Sequence, residues 1–371
     1  MKKTLIVGAV LTAFAATASA QQASSVTLYG VVDVNLAQSK TFGSASTPST
    51  TVEGMNAYNP TNPRGSRFGM RGSENIGGGL RGIFQLEAGI NSENGSTSAN
   101  NQLFNRHAWV GVSGGFGELT LGRQETMHRV MNNNNYNDVS TEGELSVTTG
   151  NSGLQMMQNF GTRVDNAIRY SSPVMSGFRV RMQQAMGVKG TPPNLGTAST
   201  NGILLSYDKA PLRVALAYEY YDGAGVPGLD RWNQVTTVGG QYNLGFATVA
   251  LGYQTTDRLL TSNAGNTLTS AATLPNHKAY NIGVIYPVNK QLTLRVQYTQ
   301  SQTSVPTVAG AADRTYGRTG ISARYTLSPR TFLYAAYTEK QIDLTPGVAA
   351  QVTSNATANK NSLGVGISHA F

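Results

Sequence analysis

The stretch Leu363-Gly-Val-Gly-Ile-Ser-His-Ala-Phe371 sets Leu363, Val365, Ile367, His369 and Phe371 in alternation with Gly364, Gly366, Ser368 and Ala370. A period of two marks a strand whose faces meet different environments. Such a strand at the end of a chain needs a partner along its edge. In a sandwich it leaves an apolar edge prone to aggregation, whereas in a closed barrel it pairs with the first strand and no edge remains. The terminal aromatic is what a barrel strand places at a membrane interface.

At the other end, Lys2 and Lys3 precede a mostly apolar run from Leu5 to Ala16, and Ala18-Ser-Ala20 has the small-x-small form of a signal-peptidase site. The run is too short for a spanning helix. These features predict a signal peptide over residues 1–20 and one exported domain over 21–371. The chain carries 28 basic and 19 acidic residues, a formal +9, which falls to +7 once Lys2 and Lys3 are removed. The Lys and Arg residues are spread along the chain rather than clustered, which argues against nucleic-acid binding. There is no cysteine, so disulfides and cysteine-ligated metals are excluded.

A mean hydropathy of −0.23 resembles that of a soluble protein. Barrel strands escape hydropathy scans, because about 9–11 residues suffice to cross and only one face is apolar. Counting period-two segments instead yields about sixteen strands, from Val26–Leu36 to Asn361–Phe371. Their connections alternate in length. Glu74–Gly79, Gly114–Phe116 and Leu244–Gly245 are short; Ala37–Pro63, Asn91–Phe104, Glu125–Thr162 and Ile342–Lys360 are long. Short turns at one rim and long polar loops at the other predict an all-β transmembrane antiparallel β-barrel.

The faces can be assigned by parity. In Leu212-Arg-Val-Ala-Leu-Ala-Tyr-Glu219 the large apolar residues fall on even positions, and Arg213 and Glu219 on odd ones. Charges opposite an apolar face require a wet second face, hence a water-filled lumen.

The chain resembles the trimeric general porins of Gram-negative outer membranes, in particular their betaproteobacterial-type branch. The resemblance covers essentially the whole mature chain. It rests on Ser25-Val-Thr-Leu-Tyr-Gly-Val-Val-Asp33, Ser66-Arg-Phe-Gly-Met-Arg-Gly-Ser-Glu74, Gly117-Glu-Leu-Thr-Leu-Gly-Arg-Gln124, Arg163-Val-Asp-Asn-Ala-Ile-Arg-Tyr-Ser-Ser-Pro173 and Gly366-Ile-Ser-His-Ala-Phe371, in that order. The Pro-Glu-Phe-Gly-Gly constriction motif of enterobacterial porins is absent. The resemblance implies a homotrimer in the outer-membrane bilayer, placed there by the barrel-assembly machinery with Phe371 as the closing residue, passing ions and small hydrophilic solutes.

It also implies that the third long loop, Glu125–Thr162, folds into the lumen and narrows it. That loop is the longest connection, and long structureless loops are functional or disordered. It carries the acids Glu125, Asp138, Glu142 and Glu144, the run Asn132–Asn135, and Met156, Met157 and Phe160, which are suited to wedge it against the wall. Parity turns Arg67 and Arg71 inward, as it does Arg163, Asp165 and Arg169, and Arg179 and Arg181. The resemblance points to Arg67, Arg106 and Arg163 as a constriction cluster. Strict alternation in Asn105-Arg-His-Ala-Trp-Val110, however, sends His107 inward and Arg106 outward unless a bulge intervenes.

Acids facing arginines across a narrow opening set up a transverse field, and the basic excess predicts mild anion preference. Catalysis finds no support: His107, His128, His277 and His369 lie far apart, and no nucleophile elbow or phosphate loop occurs. No cofactor or metal site is expected. The competing readings are a surface adhesion or binding barrel that displays its Asn-, Ser- and Thr-rich loops, and a solute-specific channel.

Overall fold

The structure is a computed structural model that describes residues 24–42, 49–56, 65–98, 102–136, 139, 162–186, 199–222, 233–257, 276–304, 314–344 and 359–371. Its strands are β1 (Ser25–Phe42), β2 (Ser49–Asn56), β3 (Arg67–Gly77), β4 (Leu80–Gly89), β5 (His107–Gly114), β6 (Gly117–Glu125), β7 (Arg163–Ser171), β8 (Phe178–Met186) and β9 (Ser199–Lys209). There follow β10 (Leu212–Asp222), β11 (Asn233–Asn243), β12 (Thr248–Asp257), β13 (Asn276–Pro287), β14 (Leu292–Ser304), β15 (Arg314–Ser328), β16 (Thr331–Leu344) and β17 (Asn359–Ala370). A helix, α1 (Met127–Asn133), lies between β6 and β7.

Each strand runs antiparallel to its neighbours, and β1 pairs with β17 from Val31↔Ala370 to Phe42↔Asn359, which closes the sheet on itself. The other edge of β1 is shared. β3 takes its lower half, from Ser25↔Ser73 to Val31↔Arg67, and β2 its upper half, from Asn35↔Asn56 to Thr41↔Ser49. The seventeen strands therefore occupy sixteen places in the wall.

This corrects one expectation. Ala37–Pro63 is not wholly a loop, since β1 continues to Phe42 and β2 lies within it. Ser39, Lys40 and Thr41 pair in register with Thr51, Thr50 and Ser49, all consecutive polar residues, so the sequence alternation that signals a strand is lost although the backbone ladder continues.

The burial pattern is that of a barrel in lipid. On β10 the outward Leu212, Val214, Leu216 and Tyr218 are exposed, while the inward Ala215, Ala217, Glu219 and Tyr221 are buried. On β13 Tyr280, Ile282 and Val284 face out, and His277, Ala279 and Asn281 face in. An apolar exterior over a polar interior inverts the soluble arrangement and matches a membrane wall. No helix among the described residues is long and apolar enough to cross a membrane. At the short-turn rim, β3 and β4 are joined through Gly78 and Gly79, with φ of +61° and +76°, conformations that residues with a Cβ rarely adopt.

Candidate functional site

Where β6 ends, the chain turns inward. The backbone N–H of Thr126 donates to the Thr162 carbonyl at 3.2 Å, which closes the neck of the third loop just before β7. The hydroxyl of Thr126 then caps α1 by accepting from the Arg129 N–H at 3.3 Å. Met127, Val130 and Met131, with Tyr136, pack on Leu204, Ala215 and Ala217, inward residues of β9 and β10. Each fully buried methionine contributes roughly 1.5–3 kcal/mol. A Cβ at Gly202 would come within 2.8 Å of Met127 Cγ, so the wall is hollowed where the helix sits.

A second anchor is polar. Glu219 on β10 is fully buried, and its Oε1 accepts from the Met127 N–H at 2.6 Å. Its Oε2 accepts from the His128 N–H at 3.4 Å and the Tyr221 hydroxyl at 3.3 Å, and also meets His128 Nδ1. Further along, the Val139 N–H donates to Gln297 Oε1 on β14 at 2.8 Å, and its side chain lies over Gly283 on β13. The third loop thus leaves the β6–β7 edge, is fastened to β9–β10, and reaches β13–β14. Its described residues, Thr126–Tyr136 and Val139, lie inside the barrel.

Beside this loop two carboxylates collect the arginines. Glu87 on β4 has Oε1 2.5 Å from Arg106 Nε and Oε2 3.6 Å from Arg67 Nε, and Oε2 also accepts from the Tyr29 hydroxyl at 2.9 Å. Glu125 Oε1 lies 3.4 Å from Arg163 Nη2, 4.0 Å from Arg129 Nε and 3.8 Å from His107 Nε2, and it accepts from Asn133 Nδ2 at 2.7 Å. Arg169 joins from β7, its Nη2 meeting the Glu125 carbonyl and its Nε donating to Gln183 Oε1 at 2.9 Å.

Of the residues singled out by sequence, Arg67, Arg106, Arg163, Arg169 and Glu125 therefore come together. Arg71 does not. It lies four residues down β3, exposed, with its guanidinium 5.4 Å from the centre of the Tyr29 ring. Asp138, Glu142, Glu144, Met156, Met157 and Phe160 lie outside the described residues.

Strict alternation fails at two places. Arg106 precedes β5, so it is not bound by the strand's parity; its N–H donates to the Glu87 carbonyl at 3.1 Å and its side chain turns to the same residue. Both Arg106 and His107 consequently face the lumen. On β7 the register slips, Gly122 pairing with Ala167 but Gln124 with Val164, with Asn166 at φ +51°. This bulge turns Val164 inward against Ala167 and Ala185, and it releases Asp165 to pair with Arg123 rather than continue an inward row with Arg163 and Arg169.

Sequence reasoning missed Glu87, Arg129 and Glu219 as members of the site. Glu87 was findable, because Gln85 and Glu87 alternate with Phe84 and Leu86 on β4. Arg129 was findable as the i,i+4 partner of Glu125, whereas Glu219 meets the loop from 92 residues away, which no local pattern encodes.

A closed barrel with an apolar outer belt, a polar interior and a loop drawn into its lumen is a passive diffusion channel of the Gram-negative outer membrane. A family model described as Gram-negative porin matches residues 8–343, and the chain belongs to that family. It is 30% identical to outer-membrane porin protein 32 of Delftia acidovorans and 28% identical to an outer-membrane porin protein of Bordetella pertussis, each over the full length of both chains. Among solved structures it is similar to the anion-selective porin from Comamonas acidovorans, at 24% identity and a TM-score of 0.70, over 94% of this chain and all of that one. The trimer form of OmpT from Vibrio cholerae shares the fold, with 16% identity and a TM-score of 0.62 over 94% of this chain and all of that one. Family and fold are those of channels rather than enzymes.

Proposed function

We propose that the channel prefers anions, and that the preference is set where Arg67, Arg106, Arg129 and Arg163 meet Glu87 and Glu125. The observation that carries this reading is the charge count of that cluster, four arginines against two carboxylates within ion-pair distance. A unit charge acting over about 4 Å contributes on the order of 1 kcal/mol in bulk water and about 4 kcal/mol beside protein of lower effective dielectric, enough to bias the flux of small ions. The relative from Comamonas acidovorans bears the name anion-selective porin, which agrees. The test is the reversal potential of the reconstituted channel in a KCl gradient, which should show anion preference in the native protein and a move toward cations in R67Q/R163Q.

Three further expectations belong to this reading. The mature chain begins after cleavage near Ala20 and is inserted by the barrel-assembly machinery. It assembles as a trimer, with the apolar outward faces of β1 (Val26, Leu28, Val32) and β17 (Leu363, Val365, Ile367) meeting neighbouring subunits as well as lipid. Small hydrophilic solutes follow the ions down their gradients. N-terminal sequencing of membrane-purified protein and its mass in mild detergent check the first two.

A further inference from the structure

The two departures from strict alternation, the inward turn at Arg106 and the bulge on β7, are joined by one hydrogen-bonded chain. Asn105 stands at the turn and is buried. Its Oδ1 accepts from the Gly89 N–H, its Nδ2 donates to Ser98 Oγ, and its carbonyl accepts from Arg123 Nε, each at 2.8 Å. Arg123 in turn pairs through Nη1 with Asp165, the residue that the bulge releases from the inward row. Gly89 supplies the room. A Cβ there would overlap Ser98 Oγ and stand 3.3 Å from Arg106 Cδ, so the stem of Arg106 crosses the glycine on its way to Glu87.

Register keeps the far end of this chain out of the lumen. Arg123 pairs with Ala108, which alternates with the inward His107, so it stands on the outer face of β6. Charges on that face are tolerated near the rim, and β6 ends two residues on, at Glu125. A guanidinium suits the place because its donors form a rigid fork. Asp165 holds one prong, which fixes the direction in which Nε meets the Asn105 carbonyl. A lysine, with its single flexible ammonium, cannot hold both partners in that geometry.

We infer that Arg123 and Asp165 are positioning residues for the selectivity cluster. From outside the ion path they hold the Asn105 carbonyl, and with it the bend that turns Arg106 into the lumen against Glu87. The inference rests on the anion reading of that cluster.

Asp165→Asn separates positioning from plain electrostatics by sign. Removing an acid makes the protein more positive, so a purely electrostatic role moves the reversal potential in a KCl gradient toward anions or leaves it alone. A loosened Arg106 moves it toward cations. The expected result is a shift toward cations that vanishes in the Arg106→Gln background, because both changes act through one side chain. Arg123→Lys, which conserves charge, should shift the potential the same way. Where Arg106→Gln itself moves the potential, a shift of Asp165→Asn toward anions, no shift, or an equal shift in both backgrounds overturns the inference.

A second readout is independent of ion selectivity. The chain has no cysteine, so Arg106→Cys presents a single thiol, whose reaction with a water-soluble methanethiosulfonate is followed as a fall in current through the reconstituted channel. Adding Asp165→Asn should slow that reaction by up to about tenfold, the equilibrium value of one charge-assisted hydrogen bond. An unchanged rate overturns the inference. If Arg106→Gln leaves the potential unmoved, the anion reading fails and the thiol rate decides the positioning by itself. Heat-modifiable migration verifies that each variant folds.

Discussion

Gly30 and Phe371 exchange both of their backbone hydrogen bonds, each N–H donating to the other's carbonyl at 3.1 Å. The aromatic ring lies over the glycine, where a Cβ would stand 2.2 Å from Cζ. Phe371 thus pairs with the lower half of the first strand, one position below Val31↔Ala370.

Two changes probe this seam. Deleting Phe371 removes two hydrogen bonds worth about 1 kcal/mol each and the ring that covers Gly30. Gly30→Val forces the ring aside and also meets the Arg67 carbonyl, 2.7 Å from the added Cβ. Both should lower the yield of heat-modifiable protein in the outer membrane while export continues, and Gly30→Ala should be milder than valine. Normal yields would show that closure does not depend on this pair.

The arginine cluster makes opposite predictions for its two signs. R67Q/R163Q removes two positive charges and should shift the reversal potential toward cations. Glu87→Gln removes one negative charge beside Arg67 and Arg106 and should shift it further toward anions. Both shifts should shrink as salt rises and the Debye length falls from about 10 Å at 0.1 M to about 3 Å at 1 M. If the two variants move the potential in the same direction, the cluster does not set the selectivity.

Arg71 supplies a control. It shares strand and parity with Arg67 but stands roughly 13 Å away along β3, over Tyr29 rather than against a carboxylate of the cluster. Arg71→Gln should alter the reversal potential less than Arg67→Gln, and an equal effect would mean that the whole basic wall, rather than the cluster, biases the ions.

Glu219 is the polar anchor of the third loop. Glu219→Gln keeps an acceptor for the Met127 N–H but loses the charge-assisted bonds with His128, each worth about 1.5–3 kcal/mol. The helix should then leave the wall more often, which single-channel recording would register as added current noise and limited proteolysis as faster cleavage within residues 126–162. A trace and a digestion pattern identical to the native protein's would assign the fastening to Met127 and Met131 alone.

How much of this was legible beforehand follows from how far each feature reaches. Period-two alternation is local, so Leu212–Glu219 and Leu363–Phe371 announce strands with one apolar and one wet face, and the wet face together with alternating short and long connections leaves little besides a membrane barrel. Where apolar residues do not alternate, as in Ser49–Asn56, the same logic is silent and a strand passes for loop. Where the backbone leaves the ladder, at Arg106 or at the Asn166 bulge, parity gives the wrong face.

The amino-acid order alone therefore determined the class of wall, the number of its places, its inner and outer faces wherever the ladder is regular, and which loop is long enough to enter the lumen. Only the tertiary structure decided how that loop lies and what it assembles. Glu219 grips Met127 from 92 residues away, and Gln297 holds Val139 from 158. Glu87, Arg106, Glu125 and Arg163 become neighbours through the side-by-side pairing of β4 to β7. Contacts between residues so distant in the chain leave no periodic trace, because each residue type there satisfies its own strand or turn equally well without its partner.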